Sequence, residues 1–119
     1  MKSTWLVHKG ARIQYADYSG FHADLEGLKA EVEYASEQTL KERLESVLSL
    51  VNVTDTSGTQ EIVEYLKNAA VRTRPYIRKM AVVGVPGYKK ILLRAVIAFI
   101  GQEIKPFDTV EEAKDWLTQ

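Results

Sequence analysis

Val47-Leu48-Ser49-Leu50-Val51-Asn52-Val53, then Thr54-Asp55-Thr56-Ser57-Gly58, then Ile62, Val63, Leu66, Ala69 and Ala70: this stretch decides the fold. The first run is short and mostly aliphatic or β-branched, as in a strand buried on both faces. The second is a cluster of turn formers. The third recurs at the spacing of one helical face. Arg74-Pro75 stops that helix, because the residue before a proline is kept out of the α region. Ala81-Val82-Val83-Gly84-Val85 then reads as a second buried strand, which completes a strand–helix–strand unit.

The pattern extends in both directions. Downstream, Pro86-Gly87 turns the chain, residues 88–100 read as a third helix, and Gly101 stands where a C-terminal glycine cap belongs. Ile104 to Phe107 reads as a last strand, and Pro106 makes it an edge. Thr109 and Glu112 have the spacing of a capping box before a final helix with Val110, Ala113 and Leu117 on one side. Upstream, Trp5-Leu6-Val7 and residues 13–18 read as strands joined at Lys9-Gly10 into an antiparallel hairpin. Residues 23–45 are rich in helix formers, with Leu25, Leu28 and Val32 on one face. Leu40 and Leu44 would continue that helix after a break near Ser36. The expected fold is α/β: one domain over residues 1–119, with a small, mixed, mostly parallel sheet of about five strands flanked by about four helices.

Composition narrows the function classes. The 119 residues include 16 Lys and Arg, 16 Asp and Glu, and no cysteine. A thiol nucleophile, an iron–sulfur cluster and a cysteine zinc site are therefore excluded. No run approaches the ~18 apolar residues of a membrane span, and the first residues lack the apolar core of a signal peptide. A soluble, cytoplasmic protein is expected. The zero net charge hides a segregation: residues 65–102 contain no acid and eight bases. Those bases either form a surface for an anionic partner or pair with the acidic blocks across the fold. Nucleic acid is not expected, since the domain is neutral and has no aromatic-and-glycine RNA-binding motif. His8 and His22 are isolated, and no metal-ligand spacing, nucleophile elbow or dinucleotide fingerprint occurs. Neither catalysis nor a metal or cofactor is expected.

Three segments are candidate sites. Asp55-Thr56-Ser57-Gly58 follows a buried strand and opens a helix, where α/β proteins place functional loops. A phosphate on Ser57 would meet free N–H groups and the positive end of the helix dipole; Ser57 also fits a capping box with Gln60, in which it only caps the helix. Gly84, Gly87, Tyr88, Lys89 and Lys90 form a glycine loop and a lysine-led helix start, read either as an anion or ligand site or as a turn with solvated lysines. The helix over 88–100 is apolar nearly all round. Tyr88, Ile91, Leu92, Ala95, Val96 and Phe99 fill one face. Leu93, Ile97 and Ile100 extend the apolar surface, as core, as a homodimer interface, or as the wall of a pocket for an apolar or lipid-like ligand.

Asp55-Thr56-Ser57-Gly58 after the central strand resembles the Asp-x-Ser-Gly phosphoacceptor motif of bacterial anti-sigma-factor antagonists, the SpoIIAA-like or STAS family. The resemblance implies a non-enzymatic regulatory module that binds protein partners, with Ser57 phosphorylated by a partner kinase and Asp55 beside it. The second half of the chain is similar to a group of uncharacterised bacterial proteins akin to STAS and CRAL-TRIO lipid-transfer domains. The residues that carry this are Arg74-Pro75-Tyr76, Ala81 to Val85, Gly87, Lys89-Lys90, and Phe107-Asp108-Thr109 through Trp116-Leu117. The expected function is a regulatory or protein-interaction module, with a carrier or sensor of an apolar or amphiphilic small molecule as the alternative.

Overall fold

Lys9 and Gly10 form the tight turn between Thr4–His8 (β1) and Ala11–Asp17 (β2), which pair antiparallel. The structure, a computed structural model, describes residues 1–119. Asp24 caps α1 (Leu25–Leu40) by accepting the Gly27 N–H at 3.0 Å. β3 (Val47–Asn52) leads to α2 (Gln60–Thr73), which tightens into a 3-10 turn at Arg74–Tyr76 before β4 (Ile77–Val83). A second 3-10 turn, Gly87–Lys89, opens α3 (Lys90–Ile100), which ends at Gly101 with φ +72°. β5 (Ile104–Phe107) and α4 (Val110–Leu117) complete the chain. Thr109 caps α4, and its hydroxyl donates to Glu112 at 2.9 Å.

The sheet order is β1-β2-β3-β4-β5, with all pairs after the hairpin parallel. The sheet therefore grows in one direction from β2 to β5. Right-handed crossovers then put α1, α2 and α3 on one face. α4, after the last strand, covers the other. The side chains of β4 alternate accordingly: Ala81 and Val83 pack with Ala113 and Leu117 of α4, while Met80 and Val82 pack toward Ile100 of α3. On the same face as α3, Ala16 and Tyr18 of the β2 side meet Leu28, Val32 and Ile62 of α1 and α2. Tyr65 ties these two helices together by donating to Glu33 at 2.6 Å, and Arg72 donates to the same carboxylate at 3.0 Å. Desolvation and the Glu33 carboxylate push the Tyr65 hydroxyl up to about 12; the Tyr65 and Arg72 hydrogen bonds hold Glu33 below the usual carboxylate range.

The expected architecture holds, with local differences. α1 runs unbroken through Ser36 and stops at Leu40, so Leu44 lies exposed outside it. β4 begins at Ile77 rather than Ala81. Its first half is hidden in the sequence by Arg78 and Lys79, but Arg78 points to solvent and Lys79 lies over the Trp116 ring. The eight bases of 65–102 do not converge. Lys79 goes to the α4 face, Arg72 binds Glu33 on α1, and Arg74 donates to the Gly101 carbonyl at the end of α3.

Candidate functional site

The loops after β3 and β4 meet at the carboxyl rim of the sheet. The β3 loop is laced to the segment after β2: Gly20 N donates to Thr54 O at 2.8 Å, His22 N to Asp55 O at 2.8 Å, and Ser57 N to His22 O at 2.7 Å. The Thr56 hydroxyl donates to the Tyr18 carbonyl and accepts from Phe21 N at 3.2 Å. Asp55 is exposed and takes a positive φ of 58°, a conformation that Asp tolerates better than most side chains. The β4 loop presses against this one. Gly84 has φ +95°, and a Cβ there would stand 2.5 Å from Thr54 N. The serine loop and the lysine-led segment therefore share one rim. A Cβ on Gly58 would stand 2.8 Å from Lys89 Nζ, so the Lys89 ammonium rests against the end of the β3–α2 connection, next to the start of α2.

The cap of α2 is Thr59, not Ser57: the Thr59 hydroxyl accepts Ile62 N at 3.3 Å. Thr59 is the residue immediately before the first helical one, which is the geometry an N-cap requires. Ser57 is left half-buried on the rim, with its hydroxyl making no hydrogen bond within the chain. Lys89 has no carboxylate partner, whereas Lys67 pairs with Glu64 at 2.9 Å and Lys90 with Asp108 at 3.9 Å. An unpaired cation beside the positive end of a helix is an arrangement that an anion would stabilise.

Behind this rim lies a cavity of about 450 Å³ between the sheet and helices α1, α2 and α3. Its lining runs from Ser57, Gly58, Val85 and Lys89 at the rim to Thr73, Ile77 and Ile104 at the far end of the strands. It exists because short side chains face each other: Ala16, Ser49 and Val82 on the sheet, Ala69 and Ala70 on α2. Most of the lining is apolar. Five polar residues, Gln14, Ser36, Thr39, Ser49 and Thr73, face it from the interior, and sequence reasoning missed them as site residues. The available signal was Ser49, the one hydroxyl inside an otherwise apolar strand before Asn52.

α3 turns Leu93, Ile97 and Ile100 inward; Leu93 and Ile100 line the cavity, while Ile97 packs on the cluster around Met80. The exposed apolar residues are instead Tyr88, Ile91, Leu92 and Phe99, of which Tyr88 and Leu92 also edge the cavity. A methyl group added at Gly87 would meet nothing within 4 Å, and Gly87 sits outside the lining, as does Lys90. No cluster of His, Asp and Glu is placed to hold a metal ion, and no helix is long and apolar enough to cross a membrane.

A comparison with curated proteins finds no match, nor does one with solved structures. The family model described as SpoIIAA-like matches residues 11–118, nearly the whole chain and all of the parallel sheet. By that match, and by its mixed five-stranded sheet with four helices, the chain belongs to the SpoIIAA-like (STAS) family of regulatory and interaction modules.

Proposed function

We propose that this domain is a sensor or carrier of an amphiphilic small molecule. The apolar body of the ligand occupies the cavity, and an anionic head sits at the rim against Lys89 and the start of α2. The cavity carries this reading. Its 450 Å³ falls within the ~300–1,000 Å³ of small-molecule sites. Most of its lining is hydrophobic, so without a ligand this wall faces water, at a cost of roughly 25 cal/mol for each Å² of apolar surface left uncovered. A ligand that fills it removes that cost. The rim loops are the surface on which a protein partner would read the loaded state, and the exposed face of α3 is the surface a homodimer would bury.

Native mass spectrometry of freshly purified protein is expected to show a bound small molecule. Ala70 lines the cavity from α2, and Ala70→Phe is expected to exclude the ligand while raising the thermal midpoint of the ligand-free protein, because it fills the void. Wild-type protein that carries nothing and takes up no amphiphile overturns the reading.

A second reading rests on Ser57, whose hydroxyl is released from capping duty by Thr59. Phosphorylation by a partner kinase would place about −1.5 to −2 charges beside Lys89. That charge would compete with an anionic ligand head for the same ammonium. Ser57→Asp is expected to weaken decanoate binding at least about fivefold, with Ser57→Ala close to wild type. Equal effects of the two substitutions would remove the switch.

A further inference from the structure

We propose that Ser36 and Ser49 form a hydrogen-bonding subsite inside the cavity for a neutral polar group at the buried end of the ligand, an alcohol or a carbonyl. The inference rests on the amphiphile reading above and specifies the ligand further, as polar at both ends.

The two serines are 3 % and 4 % exposed. Both line the cavity, Ser36 from α1 and Ser49 from β3. Neither hydroxyl has a hydrogen-bond partner in the chain. Among side-chain nitrogen and oxygen atoms sealed from all free space, only Gln102 Oε1 is without a partner. The serine hydroxyls are therefore unsealed, and the free space beside them is the cavity they line. Buried hydroxyls are normally satisfied, so a pair left open toward a cavity marks the place where something else supplies the partner.

The neighbouring polar groups do not. Gln14 is beside Ser49 in the sheet register, but its amide is committed: Nε2 donates to Ala35 O at 2.8 Å, and Oε1 accepts the Thr39 hydroxyl at 2.6 Å. The Thr73 hydroxyl donates within α2, to Ala69 O at 3.1 Å. Ser36 and Ser49 are thus the free members of an otherwise satisfied polar wall.

The bound group is neutral because nothing there matches a charge. The charged lining residues Asp55 and Lys89 sit at the rim, and the Lys67 ammonium is engaged by Glu64 and the Phe99 ring. Glu33 on α1 is bound by Tyr65 and Arg72, and Glu37 points to solvent. An ion at the serines would be desolvated without a counter-ion, which is far costlier than burying an alcohol. Ser49 lies four residues before Val53, so the subsite is roughly 13 Å along the strand from the rim. The ligand that satisfies both ends is an apolar chain with an anion at one terminus and a hydroxyl or carbonyl at the other.

The test compares two probes, decanoate and ω-hydroxydecanoate, titrated calorimetrically into wild type and into the Ser36→Ala/Ser49→Ala protein. Any co-purified molecule is first stripped on a hydrophobic resin, and the fold is checked by circular dichroism. The quantity read is the ratio of the two dissociation constants, which cancels any general loosening of the cavity. The preference for ω-hydroxydecanoate is expected to fall at least about tenfold in the double variant, with each single variant between. An unchanged ratio overturns the subsite and leaves the cavity reading standing. Binding of neither probe to wild type overturns both. If the double variant does not fold, an unchanged ratio in the two single variants overturns the subsite equally.

Discussion

Gly84→Ala is expected to destabilise the domain by about 2–4 kcal/mol and to lower its thermal midpoint by about 10–15 °C. Two penalties act together. The φ of +95° is one that an L side chain rarely adopts, and the added methyl would stand 2.5 Å from Thr54 N and 2.7 Å from Thr54 Cα. The obstacle is backbone, so it cannot swing aside as a side chain would. The methyl would also meet the Thr54 hydroxyl, which donates to Asn52 Oδ1 at 2.7 Å, and so disturb the end of β3. The loops after β3 and β4 would separate, and decanoate binding is expected to fall with stability, since both loops line the mouth of the cavity. Gly87→Ala in the same segment is the control. It has no positive φ and open space around it, so it is expected to melt within about 0.5 kcal/mol of wild type. Equal melting of the Gly84 and Gly87 variants would show that the approach of the two loops is not a constraint on the fold.

Glu31→Gln is expected to cost about 2–3 kcal/mol at neutral pH and to flatten the loss of stability in acid. Glu31 is on α1, only 2 % exposed, and its two oxygens accept the backbone N–H groups of Lys2 at 3.0 Å and Ser3 at 2.9 Å. A glutamine offers one acceptor and turns an N–H₂ toward the other donor. Burial by itself would raise the Glu31 carboxyl; the N–H groups of Lys2 and Ser3, with the Ser3 hydroxyl, outweigh it and hold the group below its ordinary 4.5. The unfolded chain therefore binds this proton more readily than the folded one. The stabilisation is complete above the unfolded value and is lost as pH falls from about 4.5 through the lower folded value. Urea midpoints measured from neutral pH into that window are expected to fall more steeply for wild type than for Glu31→Gln. Glu33, also held low, keeps some slope in both proteins. Parallel curves would mean that the Glu31 contacts with the first residues add nothing to folding.

Strand β3, helix α2 and the Gly101 stop of α3 are legible in the residues because each depends on local chemistry: β-branched runs, a 3.6-residue stripe, a left-handed glycine. The same local chemistry allows an α2 cap at Ser57, yet the cap is Thr59, because hydroxyls two residues apart both satisfy the pattern. The parallel bridge from His22 to Thr56 makes the choice: it holds Ser57 N against the His22 carbonyl and keeps that residue outside the helix. The early half of β4 is hidden for a related reason. Arg78 and Lys79 look like surface residues, and only the Trp116 ring on the opposite layer makes a strand there sensible.

α3 marks the limit of sequence reading most clearly. Apart from Lys90 and Arg94 the helix is apolar, and its apolar surface is wider than the side it buries: Leu93, Val96, Ile97 and Ile100 turn inward while Ile91, Leu92 and Phe99 stay exposed. By its own periodicities the sequence determined the class of fold, the order of its elements and the meeting of the β3 and β4 loops at one rim. Only the tertiary structure decided that α3 stands off the sheet and that a cavity lies beneath it. Space is a relation between surfaces: Ala16 and Ser49 on one side and Ala69 and Ala70 on the other are ordinary in sequence, and enclose a cavity only when the fold sets them face to face.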